Sequence, residues 1–332
     1  MTIKEESAGG SFRLDTLLRD EDPGQLRPAL DVLADIAEEP SDLTNGVGQS
    51  SRHKHADASG DRTAFVLGGG GSLGAVQVGM LYALLEAGIR PDFVVGTSIG
   101  SINAAYFVGH MSLDGVNSLA ELWSSIRRTD VFPINVRSLV RGVTGHRDHL
   151  FEVLGLRTVI ARADLGFSRL EEAPVPIHAV ATDLLSAKPV VLSSGDATLA
   201  LLASAAIPGV FPPVSVAGRL LVDGGVLANV PVSQAVELGA NRLYVLPAMS
   251  EEVSDVSGGA IDLMQRSIMV ATSALSRGDL LKVADLAELY MLPVPSTAQR
   301  SIFDFSDTSA LIEDAYLSTT TWLSASKHEV AR

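Results

Sequence analysis

The residues best equipped for chemistry are one serine, one aspartate and a run of glycines. Ser98 lies in Gly96-Thr97-Ser98-Ile99-Gly100, a G-x-S-x-G motif led by the strand-forming run Asp92-Phe93-Val94-Val95. That pattern predicts a sharp strand-to-helix turn that exposes the serine hydroxyl, with the positive end of the next helix aimed at it. Gly96 and Gly100 leave room for strand and helix to pack closely. Upstream, Ala64-Phe65-Val66-Leu67 runs into Gly68-Gly69-Gly70-Gly71-Ser72-Leu73-Gly74. A glycine run after a strand offers backbone N–H groups to an anion. Acyl transfer builds negative charge on a carbonyl oxygen, so Gly70 and Gly71, with Gly69 beside them, are the expected oxyanion donors. A nucleophile and a donor loop on adjacent βα units make acyl transfer the leading chemistry.

A serine hydroxyl needs a base within hydrogen-bond reach. Histidine is the usual choice, and the chain has seven: His53, His55, His110, His146, His149, His178 and His328. Two fall in a polar leader and His110 near the far end of the helix after Ser98. His146 and His149 fall in an irregular stretch, His178 within a strand and His328 in the C-terminal tail. None occupies an obvious loop at a strand's carboxyl end. Asp223 is better placed. It follows the short strand Leu220-Leu221-Val222 and opens Asp223-Gly224-Gly225. In open α/β sheets the carboxyl edge of the strands is where sites form. An aspartate works as a base near neutral pH only if burial lifts its pKa from about 3.9.

The elements that must carry these residues alternate. Strands are expected at 64–67, 93–96, 220–222 and 242–247, with a strand pair at 175–181 and 189–192. Helices are expected at 74–86, 99–108, 197–206, 232–238, 262–276 and 309–325. This order implies a mostly parallel sheet with helices on both faces. Two regions depart from it. Residues 1–61 read as a flexible acidic leader, since positions 1–60 hold 12 acidic and 6 basic side chains. One short amphipathic helix is expected there, with Leu26, Leu30, Leu33 and Ile36 on one face. Residues 112–172 are less regular and suggest a cap or lid within a catalytic domain of 62–332. Five of their arginines, Arg127, Arg128, Arg137, Arg141 and Arg147, offer a basic patch that lipid phosphates would suit. The apolar run Leu199–Ala206 and Phe211 would suit the lining of an acyl groove.

Bulk properties narrow the classes. The net charge of −14 argues against nonspecific nucleic-acid binding. The absence of cysteine removes disulfides, zinc thiolates and a thiol nucleophile. Neither a secretory signal nor a membrane span is expected, since the long uncharged stretch 197–218 is interrupted by Pro208, Pro212 and Pro213. The expectation is a cytoplasmic protein.

Taken together, Gly69-Gly70-Gly71-Ser72-Leu73-Gly74, Gly96-Thr97-Ser98-Ile99-Gly100 and Asp223-Gly224-Gly225 resemble the three motifs of the patatin-like phospholipases, in the same order. Ala203 to Pro213 resembles the family's segment ahead of the aspartate. The resemblance spans about residues 63–250. It implies a three-layer α/β/α sandwich and a Ser–Asp dyad of Ser98 and Asp223 without histidine. It also implies glycine oxyanion donors, lipid ester substrates, brief peripheral membrane contact, and neither metal nor cofactor. One departure stands out: the family's basic residue after the glycines is Leu73 here. A weakly active or non-catalytic lipid- or partner-binding protein of the same family is therefore an alternative. Two others come from other classes. Ser98, Asp223 and His328 have the chain order of a conventional α/β-hydrolase triad. Gly69, Gly71 and Gly74 match a dinucleotide fingerprint, although the second strand ends in Gly96-Thr97-Ser98 rather than an acid.

Overall fold

The computed structural model describes residues 60–132, 149–249, 260–295 and 301–330. The leader helix expected at 26–36, and His53, His55, His146, Arg137, Arg141 and Arg147, lie outside the described residues. The described residues from Asp61 onward form one compact unit.

Its centre is an eight-stranded mixed sheet. The strands are β1 (Thr63–Leu67), β2 (Phe93–Thr97), β3 (Ile177–Asp183), β4 (Lys188–Leu192), β5 (Val214–Val216), β6 (Arg219–Asp223), β7 (Arg242–Leu246) and β8 (Glu288–Met291). The strands β3-β2-β1-β7-β8 run parallel in that spatial order, as the alternating pattern implied. β4, β5 and β6 join antiparallel at one side.

The parallel strands are apolar on both sides because both faces are covered. Phe65, Leu67, Val94 and Ile177 point into the larger core. That core is closed by helices α1 (Ala75–Glu86), α2 (Ile99–Gly109), α3 (Leu113–Ser125), α4 (Arg128–Val131), α5 (Leu154–Arg162), α6 (Ala197–Ser204) and α9 (Thr308–Val330). The alternate residues Ala64, Val66, Phe93 and Val95 meet the other layer, α7 (Val232–Glu237) and α8 (Ala260–Val283). The result is the expected three-layer sandwich.

Three differences from the sequence expectation matter. The described parts of 112–172 are more regular than their sequence suggested: α3 and α5 lie in them, and Val116, Leu119, Trp123, Leu156 and Ile160 are buried in the main core. Two short strands, β5 and β8, were not anticipated, and helix α8 continues past Ser276 to Val283. Most consequentially, β6 does not run with the parallel strands. It pairs antiparallel with β3 through Ala181↔Asp223, Thr182↔Val222 and Asp183↔Leu221.

The register explains what that reversal achieves. β2 pairs with β3 only as far as Thr97↔Val180, and β6 takes up pairing from Ala181 onward. β4 pairs with β3 from Ala179 to Asp183 and so occupies the opposite side. Thus β2 and β6 share one side of β3, end to end. Ser98 and Asp223 sit at their junction.

Candidate active site

Ser98 is the residue at which β2 turns into α2. Its backbone has φ 54° and ψ −129°, left-handed conformation that a residue with a Cβ adopts at a cost of order 1–3 kcal/mol. The surroundings over-determine it. Its N–H donates to Ser204 Oγ at 3.0 Å, and Ser204 Oγ donates to the Val180 carbonyl at 2.6 Å. Ser101 Oγ donates back to the Ser98 carbonyl at 2.7 Å. Thr97 Oγ1 donates to the Ala228 carbonyl at 2.7 Å, pinning the strand end to the segment that follows Asp223. The glycines on either side are needed for close approach: a Cβ on Gly100 would strike the carbonyl oxygens of Leu67 and Gly68, and one on Gly96 would strike α2.

Asp223 closes the pair. Ser98 Oγ donates to Asp223 Oδ2 at 2.6 Å. The other carboxylate oxygen accepts the Gly225 N–H at 2.7 Å, which fixes the plane of the carboxylate. Ser98 is 7% exposed and Asp223 5%. Burial pushes the Asp223 carboxyl up to about 6, against the smaller stabilising effect of its two hydrogen bonds. Asp223 reaches the site from the carboxyl end of its strand, and the antiparallel run of β6 brings it from the opposite direction to Ser98.

The glycine loop lies alongside. A Cβ on Gly69 would come within 3.2 Å of Ser98 Cβ. The Gly69 N–H, however, donates to the Asn229 carbonyl at 3.0 Å. That corrects the expectation for Gly69: its amide is spent on holding the loop against the Asp223 segment. Gly70 and Gly71 differ, as neither N–H has a protein acceptor among the described residues. Gly71, at φ 58°, opens the turn Gly71–Gly74 ahead of α1 and borders the same cavity as Ser98. Gly74 and Gly224 are packing positions, against Ile99 and the Val180 carbonyl respectively. Leu73 is buried in the main core, so the position where the resemblance implies a cation is filled by apolar packing. Arg127 and Arg128 are exposed.

A buried polar chain fastens the loop. Gln77 Nε2 donates to the carbonyls of Gly68 at 2.7 Å and Leu246 at 3.0 Å. Asn103 Nδ2 donates to the Gly74 carbonyl and to Gln77 Oε1, both at 2.9 Å. Trp123 Nε1 donates to Asn103 Oδ1 at 3.0 Å. The strand β7, the glycine loop, the helix after Ser98 and α3 are thereby tied together. Gln77, Asn103, Ser204 and Asn229 were not singled out by sequence. Their only signal is a polar residue within an otherwise apolar helix or turn, which becomes meaningful once partners are known.

Ser98 and Gly71 open on one cavity. Its walls are apolar and come from α2 (Ile102, Tyr106), α3 (Leu119, Trp123) and α5 (Leu156, Val159). Ala205 and Phe211 line it as expected, whereas Leu199 faces outward and is part-exposed. The segment carrying Ile302, Phe303 and Phe305 was not anticipated as lining; it docks on the glycine loop through Ser72 N–H to the Ile302 carbonyl at 2.8 Å.

The described histidines are engaged elsewhere. His178 is set against the Phe93 ring and within 2.7 Å of Ser193 Oγ, and burial drives its pKa down to about 4. His110 stacks on Tyr106, and His149 approaches Glu152 at 3.8 Å. His328 lies near the end of α9, and its side chain is outside the described set.

Comparison with known proteins adds a family. The model of the family described as patatin-like phospholipase matches residues 65–236. Patatin-like phospholipase domain-containing protein 7 of Rattus norvegicus is 30% identical over 213 residues, 61% of this chain and 15% of that protein. An uncharacterized NTE family protein of Mycobacterium tuberculosis is 30% identical over 204 residues, 61% of this chain and 32% of its own. The chain therefore spans less than a third of the length of these relatives. Among solved structures, VipD from Legionella pneumophila has a TM-score of 0.44 at 14% identity, over 80% of this chain and 67% of that one. Human GIVD cytosolic phospholipase A2 has a TM-score of 0.42 at 12% identity, over 82% and 60%.

Proposed function

Because this chain belongs to the patatin-like phospholipase family, we propose that it is a serine lipid acyl hydrolase of the phospholipase A type, with Ser98 as nucleophile and Asp223 as base. The observation that carries the proposal is the 2.6 Å bond from Ser98 Oγ to a buried carboxylate. The substrate is a lipid ester whose acyl chain enters the apolar cavity beside Ser98.

The chemistry follows from the groups in place. Asp223, ionised at neutral pH but basic enough to accept a proton, takes the Ser98 hydroxyl proton as Oγ attacks the ester carbonyl. The carbonyl oxygen becomes an oxyanion beside the N–H groups of Gly70 and Gly71 and the positive end of α2. The neutral Asp223 acid returns its proton to the leaving alcohol or lysolipid oxygen, and the acyl group stays on Ser98. Water, deprotonated by Asp223, then attacks the acyl-enzyme. The acid releases its proton to Ser98 Oγ, and the fatty acid leaves. No histidine is required, because one carboxylate accepts and returns the proton in each half-reaction. We assign the described parts of 112–172 as the wall and cap of the acyl cavity, and place the protein in the cytoplasm with brief contact to membranes.

The test pairs chemistry with labelling. A fluorophosphonate probe is expected to label Ser98, and ester hydrolysis is expected to vanish in Ser98→Ala and in Asp223→Asn with the fold intact. Normal turnover by either folded variant overturns the dyad. Lipid binding without labelling of Ser98 would instead assign the chain a binding role, the outcome that Leu73 in place of a cation would favour.

A further inference from the structure

Above the junction of β2 and β6, the antiparallel strands β3, β4, β5 and β6 continue past the end of β2. The turns at 184–187 and 217–218 therefore project from the edge of the sheet that carries Ser98. Ala181 and Asp223 pair at the level of Ser98, and three residues further on Leu184 N–H donates to the Leu220 carbonyl at 3.0 Å. That places the leucine pair about 10 Å beyond the nucleophile along the strands. Directly opposed residues share a face, so Leu184 and Leu220 form one apolar pair.

These leucines are not buried. Leu184 is 46% exposed, Leu220 38% and Leu185 82%. The turn that presents them is held in place. Asp183 Oδ1 accepts the N–H of Leu185 at 2.9 Å and of Ser186 at 3.4 Å. Ala187 and Ala217, each with a Cβ, adopt left-handed φ of 51° and 49° at the two turns. Lys188 and Arg219 are exposed beside the leucines. The stretches 184–188 and 216–220 contain no acidic residue, in a chain whose net charge is −14. Fixed apolar side chains at paired turns, flanked by cations, fit a bilayer surface: leucines reach the acyl boundary and cations meet anionic headgroups.

We propose that the turns 184–188 and 216–220 form a docking edge for an anionic lipid bilayer, which seats the Ser98 edge of the sheet on the membrane. The purpose of that docking rests on the hydrolase reading above; the docking itself does not.

The experiment uses the full chain and sedimentation with phosphatidylcholine vesicles, with and without phosphatidylserine. Hydrolysis of the soluble ester p-nitrophenyl butyrate is followed in parallel. Wild type is expected to bind the phosphatidylserine vesicles. Leu184→Ser/Leu185→Ser is expected to lose about tenfold or more in affinity. Lys188→Glu/Arg219→Glu is expected to lose at least about fivefold per cation, with weakened salt dependence. All are expected to hydrolyse the soluble ester at the wild-type rate. Leu185→Ser alone, at the most exposed position, guards against misfolding of the double variant. Unchanged vesicle binding by Leu185→Ser and by the charge variant overturns the proposal. So does a wild type that hydrolyses the soluble ester but binds no vesicles, a result that leaves the hydrolase reading intact. A dimer that the leucine variants split would assign the edge to a second copy and likewise overturn it. Vesicle binding that depends on these residues, without hydrolysis of any ester, would sustain the docking and sink the hydrolase reading.

Discussion

In the proposed mechanism, the carboxyl of Asp223 sets the pH behaviour at the residue scale. Burial raises it to about 6 from an ordinary 3.8, and proton abstraction needs the ionised form. The kcat/KM profile for a neutral ester is therefore expected to fall on the acid side with a midpoint near 6, about tenfold per pH unit below it. A limb near pH 4 would mean that the carboxylate is solvated rather than buried. The same shift has a stability consequence of opposite utility. The folded state binds this proton more tightly than the unfolded state, so its contribution to stability is full below about pH 4 and lost as pH rises through 6. Asp223→Asn removes the buried charge while its amide can still face Ser98 and Gly225. It is expected to be more stable than wild type at pH 8, on the order of 1–3 kcal/mol, with the gap closing at pH 4. Thermal unfolding of both proteins at both pH values measures this; a variant that melts lower at pH 8 contradicts it.

At the scale of elements, the glycine loop is held by a chain of buried hydrogen-bonding side chains. Asn103 joins the Gly74 carbonyl, Gln77 and Trp123. Its removal leaves a buried carbonyl and a buried indole N–H without partners. Asn103→Ala is expected to cost on the order of 2–4 kcal/mol in denaturant unfolding and to lower kcat more than it raises KM. A variant with wild-type stability and kcat would show that the loop is rigid without it. Helix packing imposes a similar demand. Gly79 of α1 faces the Ile312 carbonyl of α9, and a Cβ there would overlap that backbone. The close approach of the two backbones at this point requires a position on α1 without a side chain.

At the scale of the whole molecule, the apolar cavity beside Ser98 is assembled from segments spread along much of the chain, from Gly71 to Phe305. The aromatic cluster of Phe132, Phe151, Phe211 and Phe303 joins three of those segments, with ring centroids 5.1–5.6 Å apart. Because α5 supplies one wall through Val159, Val159→Phe is expected to shorten the accepted chain. The ratio of long- to short-chain ester hydrolysis should drop about tenfold or more, with the short ester little affected. Equal loss on both esters would place the acyl chain elsewhere.

The sequence by itself determined the local chemistry. The G-x-S-x-G turn, the glycine run and the alternation of apolar strands with helices depend on neighbours within a few residues, where backbone sterics and side-chain period decide the outcome. It also carried a hidden helical signal in 112–172: Val116, Leu119 and Trp123 recur at helical spacing behind the capping Ser112. The tertiary structure decided what is non-local. Ser98 and Asp223 are 125 positions apart, and only the register of β3, shared end to end by a parallel and an antiparallel neighbour, brings them together. Which glycine amides stay unspent, where Gln77 and Asn103 find their partners, and how far burial lifts one carboxyl all depend on atoms from distant segments, whose positions no local pattern encodes.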